Sequence, residues 1–376
     1  MTFLISATYT FGQVDYDLSG YINEFPVMQF VRDDLSRELG IDKNFALNLM
    51  RLRVRPVIYF GDNGRLNIEV ESAFLFYQNL TGFFSTNAVK SMRQIINLKW
   101  LVKNDKNISV LNFIDRLYYR HGYDWGNIVI GRQRIAWGTG RIWNPVDLFN
   151  PINPTTFYKI EKDGADAIAV KYYLGSFSDL NVVFNPSEKL NESNIGVRLR
   201  SNISGYDLSF IAGRFDKRGV AGFDLAGNLD DAGIRAEGLL SFGNKQQPES
   251  FFKYIVGIDY QFTSKFYALA EYHYNGEGKT NKLDYEFDRL VDGEILNLNK
   301  NYIALSGVYQ LTPLLSATVS LINNLNDGSF FSGLTLNYSY SDNTYLNIGG
   351  QYFSGGSLTE YWYYSNTVYM QLEYYF

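Results

Sequence analysis

Asn366-Thr-Val-Tyr-Met-Gln-Leu-Glu-Tyr-Tyr-Phe376 closes the chain, and its two-residue rhythm decides how everything upstream is read. On an extended strand Val368, Met370, Leu372, Tyr374 and Phe376 share one face, while Tyr369, Gln371, Glu373 and Tyr375 share the other. One face suits oil and the other water. The same alternation recurs along most of the chain, which predicts an all-β protein: a transmembrane antiparallel β-barrel with lipid outside and water inside.

Composition agrees. Aromatic residues make up 17% of the 376-residue chain, with 30 Tyr and 28 Phe, as girdles at two membrane interfaces require. Mean hydropathy is nevertheless −0.19, and no run of 18 apolar residues exists to build a spanning helix. If this chain crosses a bilayer, it crosses as strands. The absence of cysteine excludes disulfides, thiolate catalysis and Cys-based zinc sites. A net charge of −5 argues against a nucleic-acid partner. Residues 1–13 read either as the remnant of an export signal or as one more strand. The whole chain, 1–376, reads as a single barrel.

Alternating segments broken by turn residues number about eighteen, with sixteen to twenty allowed. They run from Asp15–Glu24 through the hairpin of Phe45–Phe60 and Arg65–Leu80, joined by Gly61-Asp-Asn-Gly64, to Asn366–Phe376. Gln94–Lys103, Ile108–Arg120 and Asn127–Ala136 are among them, and a short helix is expected at Arg32–Arg37. From Ala232 onward, tight turns alternate with longer loops, as in a bacterial barrel. Two places break the rhythm. Short connections at 104–107 and 122–126 precede the long one from Trp137 to Gly164, and Gly222–Gly227 reads as an extra strand of uncertain standing.

Charged side chains on a lipid-facing wall cost about 2–4 kcal/mol near the bilayer midplane. They are therefore assigned to the lumen. Arg51, Arg53 and Arg55 then form a ladder beside Glu69 and Glu71, with Lys99, Arg116, Arg120, Arg132, Arg134, Arg198, Arg200, Glu271 and His273 lining the same wall. The last strands contribute Ser316, Thr318, Ser320, Asn347 and Gln351. The ladder has two readings: arginines paired with Glu69 and Glu71 to stiffen the wall, or a face selecting anionic solutes.

Gly131-Arg-Gln-Arg-Ile-Ala-Trp-Gly-Thr-Gly-Arg-Ile-Trp-Asn-Pro-Val-Asp-Leu-Phe-Asn-Pro-Ile-Asn-Pro154 cannot continue as a strand, because its prolines remove ladder donors. A connection this long is functional or disordered, and Trp137, Trp143 and Phe149 make it too aromatic to float free. It is expected to fold into the lumen as a constriction carrying Trp137, Arg141, Trp143, Asp147 and Phe149; the alternative is an external lid or end plug.

The strand ending in Gly131-Arg-Gln133, then Trp137-Gly138 and the Asn-Pro loop, together with Glu271-Tyr-His-Tyr-Asn-Gly276, resembles bacterial outer-membrane porin-like barrels, including the alginate-export type with its Arg-lined lumen. The resemblance implies an 18-stranded passive channel for an anionic solute. The Asn-Pro repeats depart from the alginate exporter, which leaves the solute open. The terminal strand with its final Phe376 also resembles the signal by which outer-membrane proteins are recognised for assembly.

A porin-like channel for small hydrophilic solutes in the bacterial outer membrane is thus the leading expectation, with homo-oligomers or a protein partner allowed. A sleeve for a lipoprotein or redox partner is the alternative, and it would need a wide lumen without an infolded loop. An outer-membrane hydrolase would need Ser and His together on the lipid-facing wall, yet His273 points inward beside Glu271. His121 reads as an interface residue. Two isolated histidines make no metal site, and no cofactor motif is present. A soluble propeller or lectin is the remaining possibility.

Overall fold

A computed structural model describes residues 14–78, 91, 93–150, 154–155, 161–245, 248–291 and 295–376. Among them, strands form one antiparallel sheet that closes on itself. In chain order they are β1 (Val14–Phe30), β2 (Asn44–Phe60), β3 (Gly64–Tyr77), β4 (Lys99–Asp105), β5 (Ile108–Tyr123), β6 (Gly126–Gln133), β7 (Ala165–Tyr173), β8 (Asp179–Asn185), β9 (Asn194–Ile203) and β10 (Tyr206–Phe215). Then follow β11 (Arg218–Leu229), β12 (Ala232–Ser241), β13 (Phe251–Thr263), β14 (Phe266–Asn275), β15 (Asn301–Thr312), β16 (Leu315–Asn324), β17 (Phe330–Ser341), β18 (Thr344–Ser354) and β19 (Asn366–Tyr375). The expected helix near residue 32 is present as α1 (Asp33–Leu39), and α2 (Phe287–Val291) lies in the 276–300 connection.

Closure is made by β1, which pairs with β2 on one side and β19 on the other. Gly20 and Phe376 exchange both backbone hydrogen bonds across the seam, at 2.9 and 3.1 Å. The terminal strand faces as its rhythm demands: Val368, Met370, Leu372, Tyr374 and Phe376 are exposed on the outside. At one rim Tyr123 stacks on Trp125 at 4.9 Å, and toward the other Tyr254 meets Tyr274 at 5.3 Å. These are the amphipathic rings expected at the two interfaces of a membrane.

Eighteen rows make the barrel, although nineteen strands are present among the described residues. β6 pairs with the lower part of β5, from Leu117 to Tyr123, and β4 with the upper part, from Ile108 to Phe113. The two share one row. β6 turns inward after Gln133, and β4 takes over the wall it leaves. The expected strand Gln94–Lys103 is thus shorter and is not a stave of its own. The extra strand considered at Gly222–Gly227 is a full stave, β11, whose Gly219, Ala221, Gly222, Ala226 and Gly227 blur any alternation. It follows the two-residue turn Asp216-Lys217, where both residues adopt positive φ (49° and 66°), the geometry of a tight hairpin.

These two corrections restore the rhythm. Connections at one end of the barrel (61–63, 124–125, 174–178, 204–205, 230–231, 264–265, 313–314, 342–343) contain five residues or fewer. The other end carries the long ones, together with the short 106–107, 216–217 and 325–329. The alternatives offered for residues 1–13 lie outside the described residues.

Candidate functional site

The inner face is built in three parts. The first is a charge network centred on Arg53, which is almost wholly buried. Its guanidinium reaches Glu69 at 2.7 Å, Glu71 at 3.0 Å, Asp115 at 2.6 Å and Glu161 at 3.1 Å. Arg51 pairs with Glu71 at 3.4 Å, Arg55 with Glu161, and Arg116 with Asp115 at 2.6 Å. Arg116 also donates to the Lys162 carbonyl at 2.7 Å. Four arginines thus meet four carboxylates, and the ladder is neutral as a unit. Two of those carboxylates escaped the sequence reading. A bulge opposite Glu69 and Val70 lets Asp115 and Arg116 both turn inward, which no strict alternation predicts. Glu161 arrives from the distant 134–164 connection.

Arg132 corrects an expectation. It sits in register with Leu117 and Asp166, on the parity of the exposed Ile130 and Ile168, so it points away from the lumen. Its charge is met there by Asp166 at 2.7 Å and 3.0 Å and is roofed by the 94–98 segment. The Ile95 and Ile96 amides donate to Asp166, and Arg132 donates to the Ile96 carbonyl at 2.5 Å. Assigning every charge to the lumen fails where another piece of chain replaces lipid.

The second part is the segment from Ile135 to Asn150. Backbone amides of Thr139, Gly140 (2.7 Å) and Val146 (3.3 Å) donate to Glu237. Those of Arg141 (2.9 Å), Ile142 (3.2 Å) and Trp143 (2.7 Å) donate to Glu271. Both carboxylates are buried, in register with the buried Ile255 and Ala304 and so on the face opposite the exposed Val256 of β13 and Ile303 of β15. Six amides therefore solvate two carboxylates that form no ion pair among the described residues, much as a helix N-terminus holds an anion.

Side chains complete the anchorage. Trp143 stacks on His273 at 5.2 Å, and His273 Nδ1 lies 3.2 Å from the Tyr254 carbonyl. Trp137 donates to Asn181 at 3.1 Å and packs edge-on against Phe149 and Phe215. It fits because Gly196 has no side chain: a Cβ there would lie 2.6 Å from the Trp137 ring. Asn150 accepts from the Ile135 amide at 2.9 Å, so one of the Asn-Pro asparagines ties the two ends of the segment. Asp147 accepts from Lys162 at 2.6 Å; burial pushes its carboxyl up, and Lys162 opposes that shift. Arg141 is exposed.

The third part is a set of open cations on β5–β9. Arg120, Lys171 and Arg200 line a cavity of about 200 Å³ with Asn127, Tyr173 and Asp179. A neighbouring cavity of the same size adds Arg134, Arg198 and Trp137. Arg200 pairs with Asp179 at 2.7 Å and Arg198 with Asp224 at 3.3 Å. Arg120, Arg134 and Lys171 form no ion pair among the described residues. Lys171 was missed, although its parity with the buried Ala165, Ala167 and Ala169 placed it inward. Lys99 takes the inward register of Phe113, and its Nζ lies 3.5 Å from Ser91 Oγ. Across the barrel the wall is neutral: Asn337 donates to Thr318 at 3.1 Å, and the Ser306 and Ser320 hydroxyls lie 3.3 Å apart.

No protein-family model matches the chain, and the search of curated proteins finds no match. Solved structures do match in shape. OccAB4 of Acinetobacter baumannii aligns with a TM-score of 0.59 at 9% identity, covering 96% of this chain and 98% of that one. OccD3 (OpdP) of Pseudomonas aeruginosa gives 0.58 at 8%, covering 96% and 91%. OccAB1 of A. baumannii gives 0.57 at 8%, covering 97% of both. At such identities the likeness is one of fold, an 18-row porin-type barrel.

Proposed function

We propose that the chain is an outer-membrane channel for passive diffusion of small hydrophilic solutes, with a preference for anions. The observation that carries this reading is a closed wall, apolar outside and ionic inside, with open cations on β5–β9. The segment around Trp137, Arg141, Trp143, Asp147 and Phe149 narrows the bore, held by Glu237 and Glu271. The Arg51–Arg55 ladder stiffens the wall, because its charge is already matched by Glu69, Glu71, Asp115 and Glu161. Arg120, Arg134, Lys171 and the exposed Arg141 supply the field that favours anions. The Phe376 strand serves recognition by the assembly machinery.

A sleeve for a threaded partner fits less well, since Ile135–Asn150 packs on the inner face against β8, β10, β12 and β14. Planar-bilayer recording tests the proposal. Discrete conductance steps with a reversal potential displaced toward that of the anion are expected; a purified, folded barrel that conducts nothing would overturn it.

A further inference from the structure

At the barrel end that carries the long connections, a single carboxylate joins several of them. Glu360 opens a 3-10 turn, Glu360–Tyr363, and is 1% exposed. It accepts from Tyr302 of β15 at 2.5 Å, from the Leu298 amide of the 276–300 connection at 3.1 Å and from Asn324 of β16 at 2.8 Å. Its own amide donates to Asp327 at 2.8 Å, and Asp327 also accepts from Tyr285 at 2.9 Å. Two residues on, Trp362 donates to Asp34 of α1 at 2.8 Å, and Tyr363 meets Phe287 of α2 at 4.4 Å. Tyr361 belongs to the same buried cluster as Trp143, Tyr302 and Phe353. The turn therefore touches the 31–43, 276–300 and 325–329 connections and, through that cluster, the infolded segment.

The titratable groups facing Glu360 are Tyr302, Asp327 and Tyr361, with Tyr285 behind Asp327. No Lys, Arg or His is among its hydrogen-bond partners. A buried carboxylate without a cation is held only by donors, so its packing depends on its proton. We propose that these connections form a cap at this mouth of the barrel whose packing is set by proton uptake at Glu360, closed in acid and loosened in alkali.

The sign follows from linkage. Burial, reinforced by Asp327, pushes the Glu360 carboxyl up to about 7 from its ordinary 4.5. The packed cap therefore binds a proton more tightly than the open one, where water solvates Glu360. Its advantage is full below about 4.5 and is lost as pH rises through the window up to about 7.

The chain lacks cysteine, which makes thiol labelling a clean test. A Leu298→Cys variant reports opening, because Leu298 is 1% exposed, and Leu283→Cys, at a 79% exposed position, corrects for the chemistry of the reagent. The ratio of the two maleimide rates should rise by at least about tenfold between acid and mildly alkaline buffer. Adding Glu360→Gln should flatten that rise at the protected, acid value. Adding Asp327→Asn should move the midpoint to lower pH. A ratio independent of pH in the parent, or a rise that survives Glu360→Gln, would overturn the proposal. Should the Gln variant fail to fold, an unmoved midpoint in Asp327→Asn would overturn it too. The readout needs no conductance, so it stands or falls apart from the channel reading.

Discussion

Two groups of carboxylates on the inner wall are stabilised in opposite ways. Glu69, Glu71 and Asp115 face arginines, whereas Glu237 and Glu271 face backbone amides. In the first group charge cancels charge and nothing is left to act on a solute. In the second, negative charge is spent on fixing a piece of chain, and the side chain of Arg141 stays free. On the proposed reading, a lumen can be rich in arginine and owe its selectivity to other cations. The density of charge in a sequence says less than what each charge faces.

Replacing both Glu237 and Glu271 by Ala should separate the two groups most strongly. It leaves six amides without acceptors, at about 1–3 kcal/mol for each that water does not reach. Single-channel conductance should rise several-fold with added noise as the segment detaches; a quiet channel of parental conductance would show that the amide contacts do not hold it. Arg53→Ala removes the cation that Glu69, Glu71, Asp115 and Glu161 share and leaves three arginines for four carboxylates, and removal of one partner from a buried pair costs about 3–5 kcal/mol. The heat-dependent gel shift of the folded barrel should move to clearly lower temperature, while Arg53→Lys, unable to span all four carboxylates, should fall between.

A finer contrast lies within the arginines. Arg120→Gln with Lys171→Gln removes two unpaired cations and should displace the reversal potential toward the cation value. Arg51→Gln with Arg55→Gln perturbs a matched set and should displace it less, or toward cations only by way of lost stability. Equal shifts would merge the two groups. The smallest effect is expected at Gly196→Ala, whose Cβ would press on Trp137. Quenching of Trp fluorescence by iodide should rise modestly, and an unchanged quenching constant would mean that the ring does not rest on this wall.

Most of the barrel was legible from alternation. The eighteen rows, the outward face of Val368–Phe376 and the inward Arg51, Arg53 and Arg55 follow from one rule about lipid and charge. The row count came out right partly because two errors offset each other. Gly- and Ala-rich β11 has no contrast for a period to reveal, and β4 alternates well yet only completes the row of β6. Arg132 shows the limit of the rule, since the 94–98 segment replaces lipid over it and long-range contacts are invisible to a local pattern. Glu271 and His273 were found by parity. Their roles were not, because the six amides that define the cradle belong to a stretch whose path a sequence does not give. Asp115 needed a bulge and Glu161 a connection from the far side of the chain.

The central claim is that the interior conducts and that the unmatched cations of β5–β9, not the matched ladder, give it its sign. Reversal potentials of single channels under a salt gradient test this most directly, with the parent compared against Arg120→Gln, Arg134→Gln and Lys171→Gln combined. An anion-selective parent and a variant close to non-selective are predicted. A cation-selective parent, or a triple variant with the parental reversal potential, would contradict the account.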